Sequence, residues 1–187
     1  MLHSIPVMFI QTESTPNPNS LKFFPGRQVL ENGVIDIASE EEASRCRIAE
    51  MLWEVQGVSG VMLGEDFISI NKNVDADWEI LKPQIFSVIV EYFTTDSTAV
   101  QVDEAEEDIE CTDAASKRIK EIIDTKVRPA VMEDGGNIVF RGYKDGIVYL
   151  KLQGACAGCP SSAVTLKDGI ENMLQYYVPE VKEVQQV

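Results

Sequence analysis

The stretch Leu152-Gln153-Gly154-Ala155-Cys156-Ala157-Gly158-Cys159-Pro160 joins a predicted strand to a predicted helix. Pro160 favours the first turn of a helix, where a missing N–H group costs nothing. Cys156 and Cys159 lie between the two elements, at a spacing at which thiolates bind soft metals or exchange disulfides. Cys159 is expected near the helix N-cap, where the helix dipole favours a thiolate over a thiol. We call residues 154–159 the cysteine loop.

The cysteine pair supplies only half of a usual ligand set. Tetrahedral zinc sites and iron–sulfur clusters generally take four protein ligands, and the chain has no second pair at this spacing. Three interpretations remain open: an iron–sulfur cluster shared by two chains, a zinc ion shared by two chains, or a redox-active dithiol. The spacing favours a metal site. The redox interpretation is weakened because the elements before Cys156 are typical of a β-hairpin and not of the βαβ unit of thioredoxin-type proteins.

The residues around the loop predict a small C-terminal α+β domain, residues 113–187. A helix is expected to begin at an N-cap on Thr112 and to run to about Ala130, since apolar residues recur there at helical spacing. A hairpin should turn at Lys144-Asp145-Gly146. The helix after the cysteine loop is followed by a short closing strand at 181–187.

Residues 1–95 predict a second small α+β domain. Its expected elements are strands at 9–12 and 21–24, a helix from a capping box at Ser39 and Glu42 to Gly57, a hairpin of strands at 58–63 and 67–71, and a helix at 78–93. The turn Thr15-Pro16-Asn17-Pro18-Asn19 separates the first two strands. Its composition is unusual enough to raise the hypothesis of a docking surface, although a plain turn is the simpler interpretation.

Residues 96–112 are predicted to be a flexible acidic linker, because residues 103–110 hold six acidic residues and no basic one. The acidity of the chain is unevenly distributed. Residues 1–100 hold 15 acidic and 6 basic residues, whereas residues 113–187 hold 10 of each. The expected fold class is therefore α+β, with two small α+β domains joined by this linker.

Charge and hydropathy narrow the class of protein. A net charge of −15 without a basic stripe argues against nucleic-acid binding. No apolar run reaches the roughly 20 residues of a membrane-spanning helix, and the first residues resemble neither a secretory signal nor an Arg-rich transit peptide. Four cysteines in 187 residues do not make a disulfide scaffold, and a single Cys-x-x-Cys pair indicates a reducing compartment and metal or redox chemistry. Two cysteines lie outside the cysteine loop: Cys46 is predicted to be a buried thiol and Cys111 an exposed one.

The sequence closely resembles a known family in both halves. The residues 152–162, with Glu133-Asp134-Gly135-Gly136 before the hairpin and Val178-Pro179-Glu180-Val181 after the last helix, resemble the C-terminal domain of the NifU family. The N-terminal half is similar to the N-terminal domain of Nfu-type proteins in residues 15–23 and in Asp77-Trp78. The resemblance covers nearly the whole chain, apart from the first seven residues and the linker.

The resemblance implies a non-enzymatic carrier that holds a 4Fe-4S cluster between the two subunits of a homodimer. Cys156 and Cys159 match the family's ligand pair, and four exposed thiolates from two chains would allow transfer to client apoproteins after loading by upstream cluster-assembly proteins. Family members occur in bacteria and mitochondria. A bacterial cytoplasmic location is expected, with the mitochondrial matrix as the alternative. A thiol–disulfide oxidoreductase and a zinc-binding adaptor are the alternative functions.

Overall fold

The computed structural model describes residues 8–95, 100, 111–157 and 160–187, and the side chains of 160–163 are not part of that description. It contains two domains, each with its own sheet and its own apolar core. The predicted α+β class with two small domains is confirmed. The predicted linker at 96–112 lies largely outside the described residues, so its flexibility stays a prediction.

The N-terminal domain is a five-stranded antiparallel sheet in the order β1-β2-β5-β4-β3, with helices packed on it. The elements are β1 Gln11–Ser14, β2 Ser20–Phe24, β3 Ile35–Ile37, α1 Glu40–Ala43, α2 Arg47–Trp53, β4 Val58–Leu63, β5 Ile68–Lys72 and α3 Trp78–Thr95. The predicted hairpin of β4 and β5 is present. The first strand begins two residues later than expected, at Gln11.

The first predicted helix is divided into α1 and α2. Its start is as expected, because the Ser39 hydroxyl accepts a hydrogen bond from the N–H group of Glu42. The division follows from Ser44, whose hydroxyl donates a 2.8 Å hydrogen bond to the carbonyl oxygen of Glu41 and so competes with the helical ladder. Cys46 then takes an extended backbone before α2 begins.

The C-terminal domain is a three-stranded sheet in the order β6-β7-β8, in which β7 and β8 are parallel. The elements are α4 Ala114–Ile122, a π-helical turn Ile123–Val127, α5 Arg128–Glu133, β6 Gly136–Lys144, β7 Ile147–Gly154, α6 Pro160–Tyr177 and β8 Glu183–Gln186. The single helix predicted for this region is therefore interrupted. Pro129 gives the reason, since a proline inside a helix lacks an N–H group and clashes with the preceding turn.

Two details differ from the sequence-based expectations. The N-cap of α4 is Asp113, not Thr112, and the Asp113 carboxylate accepts a 2.8 Å hydrogen bond from the N–H group of Ser116. Val100 lies inside the segment predicted as linker, yet its side chain is buried in the N-terminal core and its N–H group donates to the carbonyl oxygen of Val29. The predicted domain boundaries at 95 and 113 otherwise stay predictions.

Among the helices described here, none is long and apolar enough to cross a membrane.

Candidate functional site

The cysteine loop begins where β7 ends, at Gly154. This residue has φ 62°, a left-handed conformation that glycine adopts without strain. A Cβ atom at this position would lie 2.6 Å from the Sδ atom of Met62 and 2.7 Å from the carbonyl oxygen of Gly135. Glycine is therefore required here both by the backbone turn and by the close approach of two other segments. The helix α6 begins at Pro160, as predicted.

Cys156 is buried, with 8% of its surface exposed, and it joins the apolar core of the C-terminal domain. Its thiol packs against Gly136, where an added Cβ atom would lie only 2.4 Å from the Sγ atom. The turn Asp134-Gly135-Gly136 thus borders the cysteine loop, and the N–H group of Ala155 donates a 3.0 Å hydrogen bond to the carbonyl oxygen of Gly135. The sequence-based expectation of an exposed thiolate is wrong for Cys156 in this conformation. Cys159 lies outside the described residues.

A groove of about 630 Å³ opens beside Cys156. Its walls are mostly apolar and come from the end of the π-helical turn, from α5 and from α6, with one edge formed by the Pro16–Asn17 part of the N-terminal turn. The apolar lining includes Val127, Val131, Leu166, Ile170 and Met173. Cys156 therefore lies at the wall of a cavity to which both domains contribute.

Three hydrogen bonds join Gly154 and Ala155 to side chains of the N-terminal domain. The Nδ2 atom of Asn17 donates to the carbonyl oxygen of Ala155 at 2.9 Å. The Nδ2 atom of Asn71 donates to the carbonyl oxygen of Gly154, also at 2.9 Å. The N–H group of Gly154 in turn donates to the Oδ1 atom of Asp36 at 3.1 Å. The backbone just before Cys156 is thus held from outside its own domain.

Lys22 makes a fourth polar contact between the domains. Its Nζ atom donates to the carbonyl oxygens of Met132 and Glu133 at 3.2 and 3.1 Å, at the end of α5. A lysine at this position complements the helix dipole at the carbonyl end of α5, where the carbonyl oxygen of Met132 also accepts from the N–H group of Gly135 at 3.0 Å. The ammonium group also lies over the rings of Phe24 and Phe67, at 4.9 and 4.4 Å from their centroids. The side chain is buried, with 6% of its surface exposed.

The two remaining cysteines lie apart from the loop. Cys46 is buried in the N-terminal core, as predicted, and burial raises the pKa of its thiol, an effect only partly offset by the N–H groups of Ala49 and Ile48. Cys111 is half-buried against the C-terminal core, so the expectation of an exposed thiol is only partly met. In the part of the chain that the structure describes, no three His, Cys, Asp or Glu side chains are grouped as metal ligands.

Sequence reasoning singled out Cys156 and the Thr15–Asn19 turn, and the structure brings Asn17 of that turn against Ala155. It missed Lys22, Asp36 and Asn71, which lie in ordinary strand patterns. Lys22 alternates along β2 with the core residues Leu21 and Phe23 and so lies on the opposite face of the sheet. No local pattern distinguishes it from a solvent-exposed lysine.

Comparison with known families accounts for both halves of the chain. Residues 119–185 match the NifU-like domain family, and residues 10–96 match the family described as the N-terminal domain of the scaffold protein Nfu/NifU. These matches lie within the two regions in which the sequence resembles those families. The resemblance stated from the sequence is therefore confirmed.

Similar full-length proteins carry the same description. A human protein named NFU1 iron-sulfur cluster scaffold homolog, mitochondrial, is 47% identical over 99% of this chain and 74% of its own length. A Drosophila erecta protein of the same name is 48% identical over 96% of this chain, which spans 65% of that relative. Both names place those relatives in mitochondria, which supports the matrix alternative and gives no support to a bacterial cytoplasmic location.

Among solved structures, a solution structure of a NifU-like protein from Saccharomyces cerevisiae is similar to this chain at 26% identity and a TM-score of 0.44. The match covers 52% of this chain and 87% of the yeast chain.

Proposed function

Because this chain belongs to the Nfu-type family of iron–sulfur cluster scaffold proteins, we propose that it binds an iron–sulfur cluster as cargo and delivers it to client apoproteins. The observation that carries this proposal is the 47% identity, over 99% of the chain, to a protein named as an iron–sulfur cluster scaffold. The strand–loop–helix setting of Cys156 is compatible with that role, because it places the thiol at the wall of a groove.

The ligands in this proposal are Cys156 and Cys159. Iron–sulfur clusters are held by four thiolates, and one chain offers two at this loop. A homodimer in which two loops face each other supplies all four without any other residue type. The family resemblance favours the 4Fe-4S form of the cargo, since ligand count alone fits two-iron and four-iron clusters equally well.

Shared ligation also suits a carrier. An incoming apoprotein can replace the thiolates of one subunit and then those of the other, so that the cluster is never released into water. A site with four thiolates from one chain would hold the cluster more firmly. Upstream cluster-assembly proteins are the expected donors, and the chain itself has a transport role and not a catalytic one.

The mitochondrial matrix is the proposed location, on the strength of the names of the similar human and fly proteins. Clients would then be apoproteins of that compartment. The acidic N-terminal half and linker favour clients and donors with basic docking faces.

Anaerobic reconstitution of the chain with ferrous iron and sulfide tests the proposed function. We expect a brown dimer with about four irons and four sulfides per two chains. Iron, zinc and sulfide are measured in the same sample, together with the molecular mass. Stoichiometric zinc would indicate the adaptor, and a metal-free monomer that reduces a model disulfide would indicate the oxidoreductase. Either result would contradict the carrier.

A further inference from the structure

The N-terminal domain presents a surface that contacts the start of the cysteine loop. We define this surface by the side chains of Asn17, Asp36 and Asn71 and call it the loop-binding surface. Each of these side chains contacts a backbone atom of Gly154 or Ala155. The two asparagine amides donate to the carbonyl oxygens of Ala155 and Gly154, and the Asp36 carboxylate accepts from the N–H group of Gly154. The surface therefore binds backbone atoms of the loop.

The contact from Asn17 has a fixed geometry. Asn17 is 4% exposed, and its Oδ1 atom accepts a 2.9 Å hydrogen bond from the N–H group of Asn19, which fixes the orientation of the amide. The Nδ2 atom is thereby aimed at the carbonyl oxygen of Ala155. One side chain thus closes its own turn and holds the loop at the same time. Lys22 adds a buried charged contact to the end of α5, on the other side of the Gly135–Gly136 turn.

The docked arrangement covers the Gly154–Ala155 part of the loop. Ala155 is 2% exposed and Cys156 is 8% exposed. The Pro16–Asn17 turn forms one edge of the groove beside Cys156. A second chain that shares a cluster must bring its own loop close to the same cysteine, and the N-terminal domain occupies part of that approach.

We propose that the N-terminal domain is the intramolecular partner of the cysteine loop. Its loop-binding surface holds the loop in a closed state in the chain without cargo, and it must leave the loop before two chains can share a cluster. This inference rests on the proposed function for its second half only. The first half, closure over Cys156 by Asn17, Asp36 and Asn71, concerns the chain without cargo and is tested separately.

The first experiment measures the alkylation rate of Cys156 in the apo chain by peptide mass mapping. The Asn17→Asp variant keeps the Oδ1 acceptor for Asn19 but replaces the donor to Ala155 with a carboxylate oxygen. We combine it with Asn71→Asp, which does the same to Gly154. The double variant should react at Cys156 about tenfold faster than the parent, which corresponds to the loss of one or two net hydrogen bonds.

Asn19→Asp is the matched control, because it makes the same change in the same turn and keeps the oxygen that accepts from Lys72. We expect its Cys156 rate to equal that of the parent. Cys46, buried in the N-terminal core, reports on the fold and should stay slow in all variants. A double variant with unchanged Cys156 reactivity would overturn the closed state.

The second experiment needs no variant that weakens the interface. Hydrogen exchange of the Gly154 amide, whose N–H group is bound to Asp36, is compared in the parent with and without reconstituted cluster. We expect exchange to be faster by about tenfold or more in the loaded dimer. Equal protection in both forms would overturn the opening step. If the chain takes up no iron at all, the proposed function fails, while the alkylation rates still decide whether the apo chain is closed.

Discussion

The side-chain amide of Asn17 donates a 2.9 Å hydrogen bond to the carbonyl oxygen of Ala155, the residue immediately before Cys156. The two residues are 138 positions apart and belong to different domains. The bond connects a turn that stands out in the sequence with the loop that carries the chemistry. The Thr15–Asn19 turn therefore contacts the cysteine loop within the same chain, and a role in docking an external partner stays a hypothesis.

Replacement of Cys156 by serine should abolish iron binding, because an alcohol does not replace a thiolate as a ligand for iron. Iron and sulfide per chain after anaerobic reconstitution are the measurement, with circular dichroism to verify the fold. Cys46→Ala is the matched control, since that thiol lies in the other core. Equal loss of iron in both variants would contradict the assignment of Cys156 as a ligand.

Gly136→Ala should destabilise the C-terminal domain by about 1–3 kcal/mol, because the new methyl group would overlap the Sγ atom of Cys156 at 2.4 Å. Displacement of the thiol should also lower iron uptake. Urea denaturation and iron analysis give the two readouts. Gly169→Ala makes the same change in α6, where an added Cβ atom meets nothing within 4 Å. It should leave the free energy of unfolding unchanged or raise it by up to about 1 kcal/mol.

Lys22→Met should lower the free energy of unfolding by about 2 kcal/mol, because it removes a charged donor and leaves the carbonyl groups of Met132 and Glu133 without it. The methionine retains most of the packing against Phe24 and Phe67. Lys82→Met serves as the control, since Lys82 pairs only at 3.8 Å with the largely exposed Glu79. An exposed pair of this kind contributes about 0–1 kcal/mol. Equal effects of the two substitutions would mean that Lys22 does not stabilise the docked arrangement.

Asp113 should make the stability of the C-terminal domain depend on pH in the acidic range. The hydroxyl and then the N–H group of Ser116 lower the pKa of this carboxyl below its ordinary value of 3.8. The cap therefore contributes its full stability above pH 3.8, and that contribution is lost as the pH falls through the lowered pKa. Asp113→Asn keeps a capping oxygen without the ionisation.

Thermal melts of the parent and of Asp113→Asn at neutral pH and near pH 3 give the comparison. The melting temperature of the parent should fall more between the two conditions than that of the variant. A parallel decline would show that the acid sensitivity arises from other carboxylates.

The parts of the fold that follow from local chemistry were predictable from the sequence. Ser39 caps a helix, Asp145-Gly146 turns a hairpin, and Pro160 begins a helix, because each depends on residues within a few positions of itself. The interruption of the long C-terminal helix was missed, although Pro129 carries the signal. Its apolar periodicity was a stronger pattern than a single proline.

The contacts between the domains could not be predicted in the same way. Asn71 and Gly154 are 83 positions apart, and Lys22 and Met132 are 110 apart. Nothing in the neighbourhood of either partner distinguishes such a side chain from a solvated one. The burial of Cys156 depends on its packing against Gly136, 20 positions earlier, and on the core of the C-terminal domain. The spacing of the two cysteines carries no information about that packing, so it could not predict the burial.

The contact between Lys22 and the end of α5 also bears on the cooperativity of unfolding. Two domains with separate cores can in principle unfold one after the other. Here the loss of either core removes a partner from the other, so each domain gains stability from the docking contact only while both are folded. In the docked state the two halves should therefore melt in one cooperative transition. An undocked chain would show two transitions, with each half dependent on its own core alone.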